Sequence, residues 1–337
     1  MTQDVSWNSR VSVAPMMEWT DRHCRTFHRR FSAKALLYTE MINAAGLVLG
    51  EADWLLDHST HEHPLALQLG GSDPDILARA VERAQPFGFE EINLNVGCPS
   101  DRVQSGAFGA CLMRDPALVA RCCAAMRAAS GPSGPEITVK CRLGVDEQVP
   151  FESLPRFIDT VAEAGVRRFI VHARKAWLQG LSPKDNRTIP PLDYALVAEV
   201  ARARPQLWIT LNGGIADLEA ARLHLERFDA VMIGRAAYHN PAAILGGADA
   251  LVSGTPLPTV APESAVRGML GYIEAELQRG TRLHAITRHM LGAFQGRRGA
   301  RRWRRLLSEE ATRPGVGPEL IERALSAIEP PLAGAAE

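Results

Sequence analysis

A chain of 337 residues that is 46% hydrophobic can bury a sizeable core, which excludes a disordered protein and fits one large domain with a smaller one. No apolar run approaches the ~20 residues that cross a bilayer, and positions 1–10 are polar without a secretion-type apolar stretch, so a cytoplasmic enzyme with no membrane contact is the expectation. The 38 basic and 38 acidic residues cancel, yet positions 282–305 hold eight arginines and no carboxylate, a local surface suited to an anionic partner.

Short β-branched and apolar runs bounded by turn residues predict eight strands, at 11–16, 35–41, 65–69, 92–96, 137–141, 169–172, 208–211 and 230–233. Most are continuously apolar, the pattern of strands covered on both faces of a parallel sheet. Helical patterns alternate with them. Segment 75–85 follows Ser72-Asp73-Pro74 and segment 117–129 follows Arg114-Asp115-Pro116, in each case a capping aspartate with proline at the first turn. Segments 154–164, 194–202 and 218–225 repeat the amphipathic spacing. Strand then helix over roughly 240 residues predicts the α/β class and a (β/α)8 TIM barrel. A doubly wound sheet is the alternative, but G-x-G-x-x-G is absent after the first strand. Prolines 256, 258 and 262 mark a linker, and the segments beyond it, 264–278, 283–294, 300–308 and 318–328, are helical only. The expected domains are therefore a barrel at 1–255 and a small C-terminal all-helical domain at 256–337.

Barrels of this kind carry their active sites at the carboxyl ends of the strands. The residues there are Pro15-Met16-Met17, Glu40, Gln68, Asn95 to Cys98, Lys140 to Arg142, His172 to Arg174, Asn212-Gly213-Gly214 and Gly234-Arg235. A lone glycine after a strand is only a turn residue, but glycines on the last two strands, with an arginine, let backbone N–H groups approach a phosphate. Lys140 reads three ways: a solvated strand-end cation, a Schiff-base lysine of an aldolase, or a charge beside an electron-rich cofactor. A single strand-end histidine is usually structural. The company of Lys140 and the glycine pairs makes a ligand role the better reading of His172.

The six cysteines form no CxxC pair and no tight Cys/His spacing, which argues against a disulfide framework and against zinc or any other metal. Cys24, Cys111, Cys122, Cys123 and Cys141 lie in apolar or helical patterns and read as small buried hydrophobes. Cys98 differs, because it sits where the fourth strand turns, ahead of a glycine-bearing loop at 105–113. A thiol there is a nucleophile or an acid, and a free thiol, with a reference pKa near ~8.5, is mostly protonated at neutral pH. Taken alone, a structural cysteine is an equally good reading.

The stretch Leu94-Asn95-Val96-Gly97-Cys98-Pro99-Ser100, with Gly106 and Gly109-Ala110-Cys111-Leu112-Met113, resembles the signature of tRNA-dihydrouridine synthases. The likeness extends through 14–22, 68–71, 140–142, 172–177, 181–187, 212–214 and 234–235, and is looser in the C-terminal helices. Met17-Glu18-Trp19 and the block 172–187 are most similar to the A subgroup, which modifies positions 20 and 20a of the tRNA D-loop, although Glu18 stands where an aspartate is expected.

The resemblance implies FMN held by Pro15, Met16, Met17, Gln68, Lys140, His172, Asn212, Gly213, Gly214, Gly234 and Arg235. It also implies Cys98 as proton donor, NADPH as electron source, and tRNA as the partner of a monomeric enzyme. The chemistry agrees, since saturating the uracil C5=C6 bond takes a hydride at C6 and a proton at C5. Lys140 would stabilise the reduced flavin, with His172 and Arg174 orienting flavin and substrate. The target base must leave its stack to reach the barrel, so a tRNA-docking surface is expected. Its candidates are Arg298, Arg301, Arg302, Arg304 and Arg305, on one predicted helix with Trp303 among them, together with Arg174, Lys184 and Arg187. Asn95 is placed to touch the flipped base. A solvated basic helix is the plainer reading of the arginines by themselves. The rival functions are a flavin enzyme of a free pyrimidine, such as dihydroorotate, a tRNA-binding module without turnover, and a Schiff-base aldolase through Lys140.

Overall fold

The computed structural model describes residues 9–100 and 106–329; position 105, the first of the expected glycine-bearing loop, lies outside them. Eight strands form one parallel sheet: β1 (Val11–Val13), β2 (Leu37–Asn43), β3 (Leu65–Gly70), β4 (Glu91–Val96), β5 (Glu136–Arg142), β6 (Arg168–His172), β7 (Trp208–Asn212) and β8 (Ala230–Ile233). Their order is β1-β8-β7-β6-β5-β4-β3-β2. The two edges meet at a Ser12–Leu36 bridge, where Val13 N donates to Leu36 O (2.9 Å) and Leu36 N to Val11 O (3.0 Å). The sheet thereby closes on itself as a TIM barrel.

Two strands, β1 and β2, depart from the sequence expectation by more than one residue. β1 stops at Val13 rather than at 16, because Pro15 has no N–H to give a ladder and the chain turns there, with Thr20 N on Met16 O at 2.9 Å. β2 spans 37–43 rather than 35–41, through an irregularity between Tyr38 and Met41.

Aspartates start most of the outer helices by accepting from otherwise orphaned N–H groups. Asp73 caps Pro74–Ala84 through Asp75 N (2.9 Å) and Ile76 N (3.0 Å), and Asp115 caps Pro116–Ser130 through Leu118 N (2.9 Å). Asp193 and Asp217 do the same for Tyr194–Arg202 and Leu218–His224. The helix Arg22–Arg29 is not among those predicted, because its sequence is mostly polar; it nonetheless buries Cys24, Arg25, Phe27 and His28.

The main core lies between sheet and helices and includes Leu67, Leu69, Leu77, Val81, Ile92, Leu94, Val119 and Phe157. A small separate cluster, Ala14, Leu36, Tyr38, Ala66, Ile170 and Met232, fills part of the barrel. β4 and β5 correct the expectation of continuously apolar strands. Ile92, Leu94 and Val96 face the helices, as do Ile137, Val139 and Cys141, whereas Glu91, Asn93, Asn95, Thr138 and Lys140 occupy the alternate positions that face the barrel interior.

The chain beyond 261 is helical: Pro262–Arg267, Leu270–Gln278, Leu283–Thr287, Ala300–Glu309 and Glu319–Leu325. The predicted 264–278 helix is broken at Gly268-Met269, and the 283–294 helix ends at Thr287. Asp21, which caps Arg22–Arg29 through Cys24 N, joins this region to the barrel by accepting from Arg288 Nη2 (2.6 Å) and His289 Nε2 (2.9 Å). Among the described residues, no helix is long and apolar enough to cross a membrane.

Candidate active site

The end of β4 is built around one amide. Asn95 Oδ1 accepts from both Gly97 N and Cys98 N at 3.0 Å, while its Nδ2 donates to Gln68 Oε1 at 2.8 Å. One amide hydrogen of Asn95 remains for a ligand. Cys98 O accepts from Ala110 N (2.8 Å), which ties the turn to the 3-10 segment Gly109–Arg114, and Cys98 Sγ lies 3.4 Å from Ser100 Oγ. The thiol is half-buried. So is Cys111, expected to be a buried hydrophobe; its Sγ meets Phe108 O at 3.1 Å.

Beside this turn, β5 ends in Lys140 and Arg142. Lys140 Nζ donates to Asn212 Oδ1 at 3.1 Å. Burial, reinforced by Arg142, lowers the lysine to about 8. Arg142 is buried and spans three carbonyls, Gly97 O through Nε (2.8 Å), and Asn186 O (2.9 Å) and Lys175 O (3.3 Å) through Nη1. Asn186, also buried, fastens the loop after β6 by accepting from Trp177 N (2.7 Å) and donating to Trp177 O (2.8 Å).

His172, at the end of β6, is held well below the ordinary imidazole value by burial and then by Arg142 and Lys140, so it is neutral at neutral pH. Its ring packs against Gly213. A Cβ at Gly213 would sit 2.7 Å from His172 Cδ2, and Gly213 and Gly214 have φ of 111° and 73°, which favour glycine. Gly234 precedes the short helix Arg235–His239, and exposed Arg235 reaches Arg187 O at 3.4 Å. Pro15 and Met16 line the turn after β1, where Met17 is 54% exposed.

The mouth is cationic. Among the described residues, Lys140, Arg142, Arg174, Arg187 and Arg235 have no carboxylate within ion-pair distance. Arg174 donates through Nη1 to Pro190 O, but its buried Nε has no partner among the described residues. Unneutralised cations and an orphaned donor in one cleft make a site for an anion. Gln68 sits lower, fully buried on β3.

Four of the eight arginines of 282–305 lie on the helix Ala300–Glu309, and Arg298, expected on the same helix, precedes it in a turn. Arg301, Arg302, Arg304 and Arg305 are exposed and, among the described residues, have no acidic partner, whereas Arg298 pairs with Glu329 (2.9 Å). Trp303 is fully buried, donating from Nε1 to Met290 O (3.0 Å) and packing edge-on against Phe294. Lys184 is exposed beside the 3-10 turn Asp185–Arg187. Sequence reasoning passed over Arg142 and Asn186 as organisers of the site, and Glu91, Asn93 and Thr138 beneath it; the strict alternation in Glu91-Ile92-Asn93-Leu94-Asn95 was the available signal.

Fold and site define a (β/α)8-barrel protein with an anion-accepting mouth. The fold is shared with morphinone reductase (TM-score 0.50, 14% identity, 76% of this chain and 88% of that one) and with an old yellow enzyme homologue from Zymomonas mobilis (TM-score 0.50, 14% identity, 76% and 92%). The chain belongs to the dihydrouridine synthase (Dus) family, whose model matches residues 12–329. It is 53% identical over 320 residues to the tRNA-dihydrouridine(20/20a) synthase of Vibrio cholerae (95% of this chain, 96% of that one). It is 53% identical over 327 residues to the enzyme of that name from Escherichia coli K12 (96% and 93%), and 54% over 316 residues to that of Xanthomonas axonopodis (94% and 93%).

Proposed function

We propose that this chain reduces the C5=C6 bond of uridine in tRNA to 5,6-dihydrouridine, at positions 20 and 20a of the D-loop, with FMN as bound flavin and NADPH as electron source. The observation that carries the reading is a presented thiol, Cys98, beside a mouth where Lys140, Arg142, Arg174, Arg187 and Arg235 lack carboxylate partners among the described residues. Those residues fit a phosphate-bearing flavin: Gly213 and Gly214, with φ of 111° and 73°, bring backbone to the mouth without a side chain, and Arg235 beside them has no carboxylate partner among the described residues. Pro15, Met16, Met17, Gln68, Lys140, His172, Asn212, Gly213, Gly214, Gly234 and Arg235 would hold it. When bound, the flavin supplies the hydride that adds at C6.

Hydride addition next to a conjugated carbonyl leaves negative charge on the uracil, and the Cys98 thiol quenches it by protonating C5. Lys140, charged below about 8, stabilises negative charge in the low-dielectric mouth. Neutral His172 offers a hydrogen bond without adding charge. Asn95 and Arg142 grip the backbone of the Gly97-Cys98 turn, which fixes the position from which the thiol is presented.

The tRNA docks by its phosphates on Arg298, Arg301, Arg302, Arg304 and Arg305, and on Lys184 and Arg187 nearer the mouth, with Arg174 and Asn95 meeting the flipped base. In this reading residues 1–255 carry the chemistry, residues 256–337 bind tRNA, and the enzyme works as a cytoplasmic monomer.

NADPH-dependent dihydrouridine formation in unmodified tRNA tests the reading. Wild type makes product, and Cys98→Ala loses on the order of 10²-fold or more in rate. A wild type inactive on every tRNA yet able to reduce free uracil or orotate would overturn the choice of substrate. Wild-type turnover by Cys98→Ala would remove the thiol from the mechanism.

A further inference from the structure

The barrel interior below the thiol holds a continuous run of buried polar groups, of which Asn93, Thr138, Glu91 and Tyr38 have no part in the proposed reaction. Cys98 N donates to Asn95 Oδ1 (3.0 Å), Asn95 Nδ2 to Gln68 Oε1 (2.8 Å), and Gln68 Nε2 to Asn93 Oδ1 (2.8 Å). Asn93 Nδ2 then donates to Thr138 Oγ1 (2.7 Å), and Thr138 Oγ1 to Glu91 Oε1 (2.6 Å), which also accepts from Tyr38 OH. The side chains of Tyr38, Gln68, Glu91, Asn93 and Thr138 lie in the closed interior, where none can exchange its partner for bulk water, and Asn95 caps them at the mouth.

Every link points the same way, from the Cys98 turn towards Glu91. Amide orientations in such a run are interchangeable only if both ends allow it, and neither does. At the top, the backbone N–H groups of Gly97 and Cys98 can only donate, which fixes the oxygen of Asn95 towards them. At the bottom, Thr138 and Tyr38 both present hydroxyls to one carboxyl oxygen. The three intervening amides are thereby set in a single orientation, and each polarises the next.

We propose that Glu91 is a positioning residue: as the terminal acceptor of a one-way hydrogen-bond chain through β2, β3, β4 and β5, it anchors Thr138 and the amides of Asn93 and Gln68 beneath Asn95, and through Asn95 steadies the turn that presents the Cys98 thiol. The proposal rests on the reading of Cys98 as the proton donor. What the chain needs from Glu91 is an acceptor, not a charge. Burial raises this carboxyl to about 7 against the opposing hydrogen bonds from Thr138 and Tyr38, with Arg168 on β6 and Glu136 on β5 also acting on it, so its neutral form is accessible near neutral pH. A neutral carboxyl still offers its carbonyl oxygen to Thr138, and a glutamine would do the same.

The test separates the two half-reactions of the holoenzyme: reduction of the flavin by NADPH, and its reoxidation by unmodified tRNA. Glu91→Met removes the acceptor, and Thr138→Val breaks the chain next to it with almost no change of shape. Both are expected to slow tRNA-dependent reoxidation on the order of 10²-fold, the scale of a misplaced reacting group, and to slow the NADPH step, which does not need the thiol, far less. Glu91→Gln and Thr138→Ser keep the polarity and are expected to restore most of the rate. If Glu91→Met does not fold, Thr138→Val gives the answer alone. Wild-type reoxidation in Thr138→Val, equal loss of both half-reactions, or a Glu91→Gln as impaired as Glu91→Met overturns the proposal. Absence of tRNA-dependent reoxidation in the wild type would instead overturn the substrate reading.

Discussion

Lys140 Nζ lies 3.1 Å from Asn212 Oδ1, and Asn212 Nδ2 donates onward to Met232 O at 2.7 Å, so a buried cation on β5 is tied through β7 to β8. Lysine ordinarily titrates near 10.5; burial and Arg142 bring this one down to about 8. In the flavin-free protein the mouth loses this charge as pH rises through about 8, and FMN affinity should fall by about tenfold or more across that interval. Stability moves the other way. The cost of burying the charged form is fully present below about 8 and is relieved as pH rises towards 10.5, where the unfolded chain also loses its proton. Fluorescence titration of FMN on either side of about 8 checks this, and Lys140→Met should bind weakly with no pH dependence there.

Gly213 has φ of 111°, and a Cβ there would meet His172 Cδ2 at 2.7 Å. Gly213→Ala should therefore cost about 1–3 kcal/mol in backbone strain, displace the His172 ring and lower flavin content. Gly180, with φ of 81° and open space around it, is the matched control. Its alanine variant should lose stability but keep its flavin, as read from denaturant midpoints and the absorbance of purified protein.

Arg142 reaches Gly97 O, Asn186 O and Lys175 O with one planar fork. Lysine cannot copy that geometry. Arg142→Lys is expected to lower stability by about 1–3 kcal/mol, the cost of leaving a buried carbonyl unpaired, and to slow turnover by loosening the Cys98 turn. A normal melting temperature with normal kcat would show that the clamp is dispensable.

The exposed arginines and the buried tryptophan of Ala300–Glu309 should behave oppositely. Arg301→Ala with Arg305→Ala should weaken tRNA binding and reduce the slope of log K against log salt by roughly 0.7–0.9 per lost phosphate contact, with the fold intact. Trp303→Ala should cost about 3–5 kcal/mol of stability, because it empties a fully buried site. Filter binding at several salt concentrations, alongside thermal melts, distinguishes the two.

Much of the barrel and its mouth was legible from local pattern. The eight strands and the Asp-Pro helix starts follow from residue types within a few positions of one another, and the residues at the strand ends could be named because a parallel barrel gathers them at one end. The helix Arg22–Arg29 was not legible, since its burial depends on Asp21 meeting Arg288 and His289 from the far end of the chain. The arginine-rich region was legible as basic, but not that Trp303 in its helix points inward or that exposed Arg298 ahead of the helix pairs with Glu329.

The sequence by itself determined the order of strands and helices, the thiol at the end of β4 and the cations around it, because periodicity and turn chemistry are local properties of the chain. Only the tertiary structure decided which face of β4 looks inward. Alternation in Glu91-Ile92-Asn93-Leu94-Asn95 has the same form whichever side is buried, and in a closed barrel both sides are. The apolar side went to the helices, while Glu91, Asn93 and Asn95 met Gln68 and Thr138 from neighbouring strands. Buried polar groups must find partners, and here the partners lie 25 to 47 positions away in the chain, a distance across which only closure of the barrel brings them together.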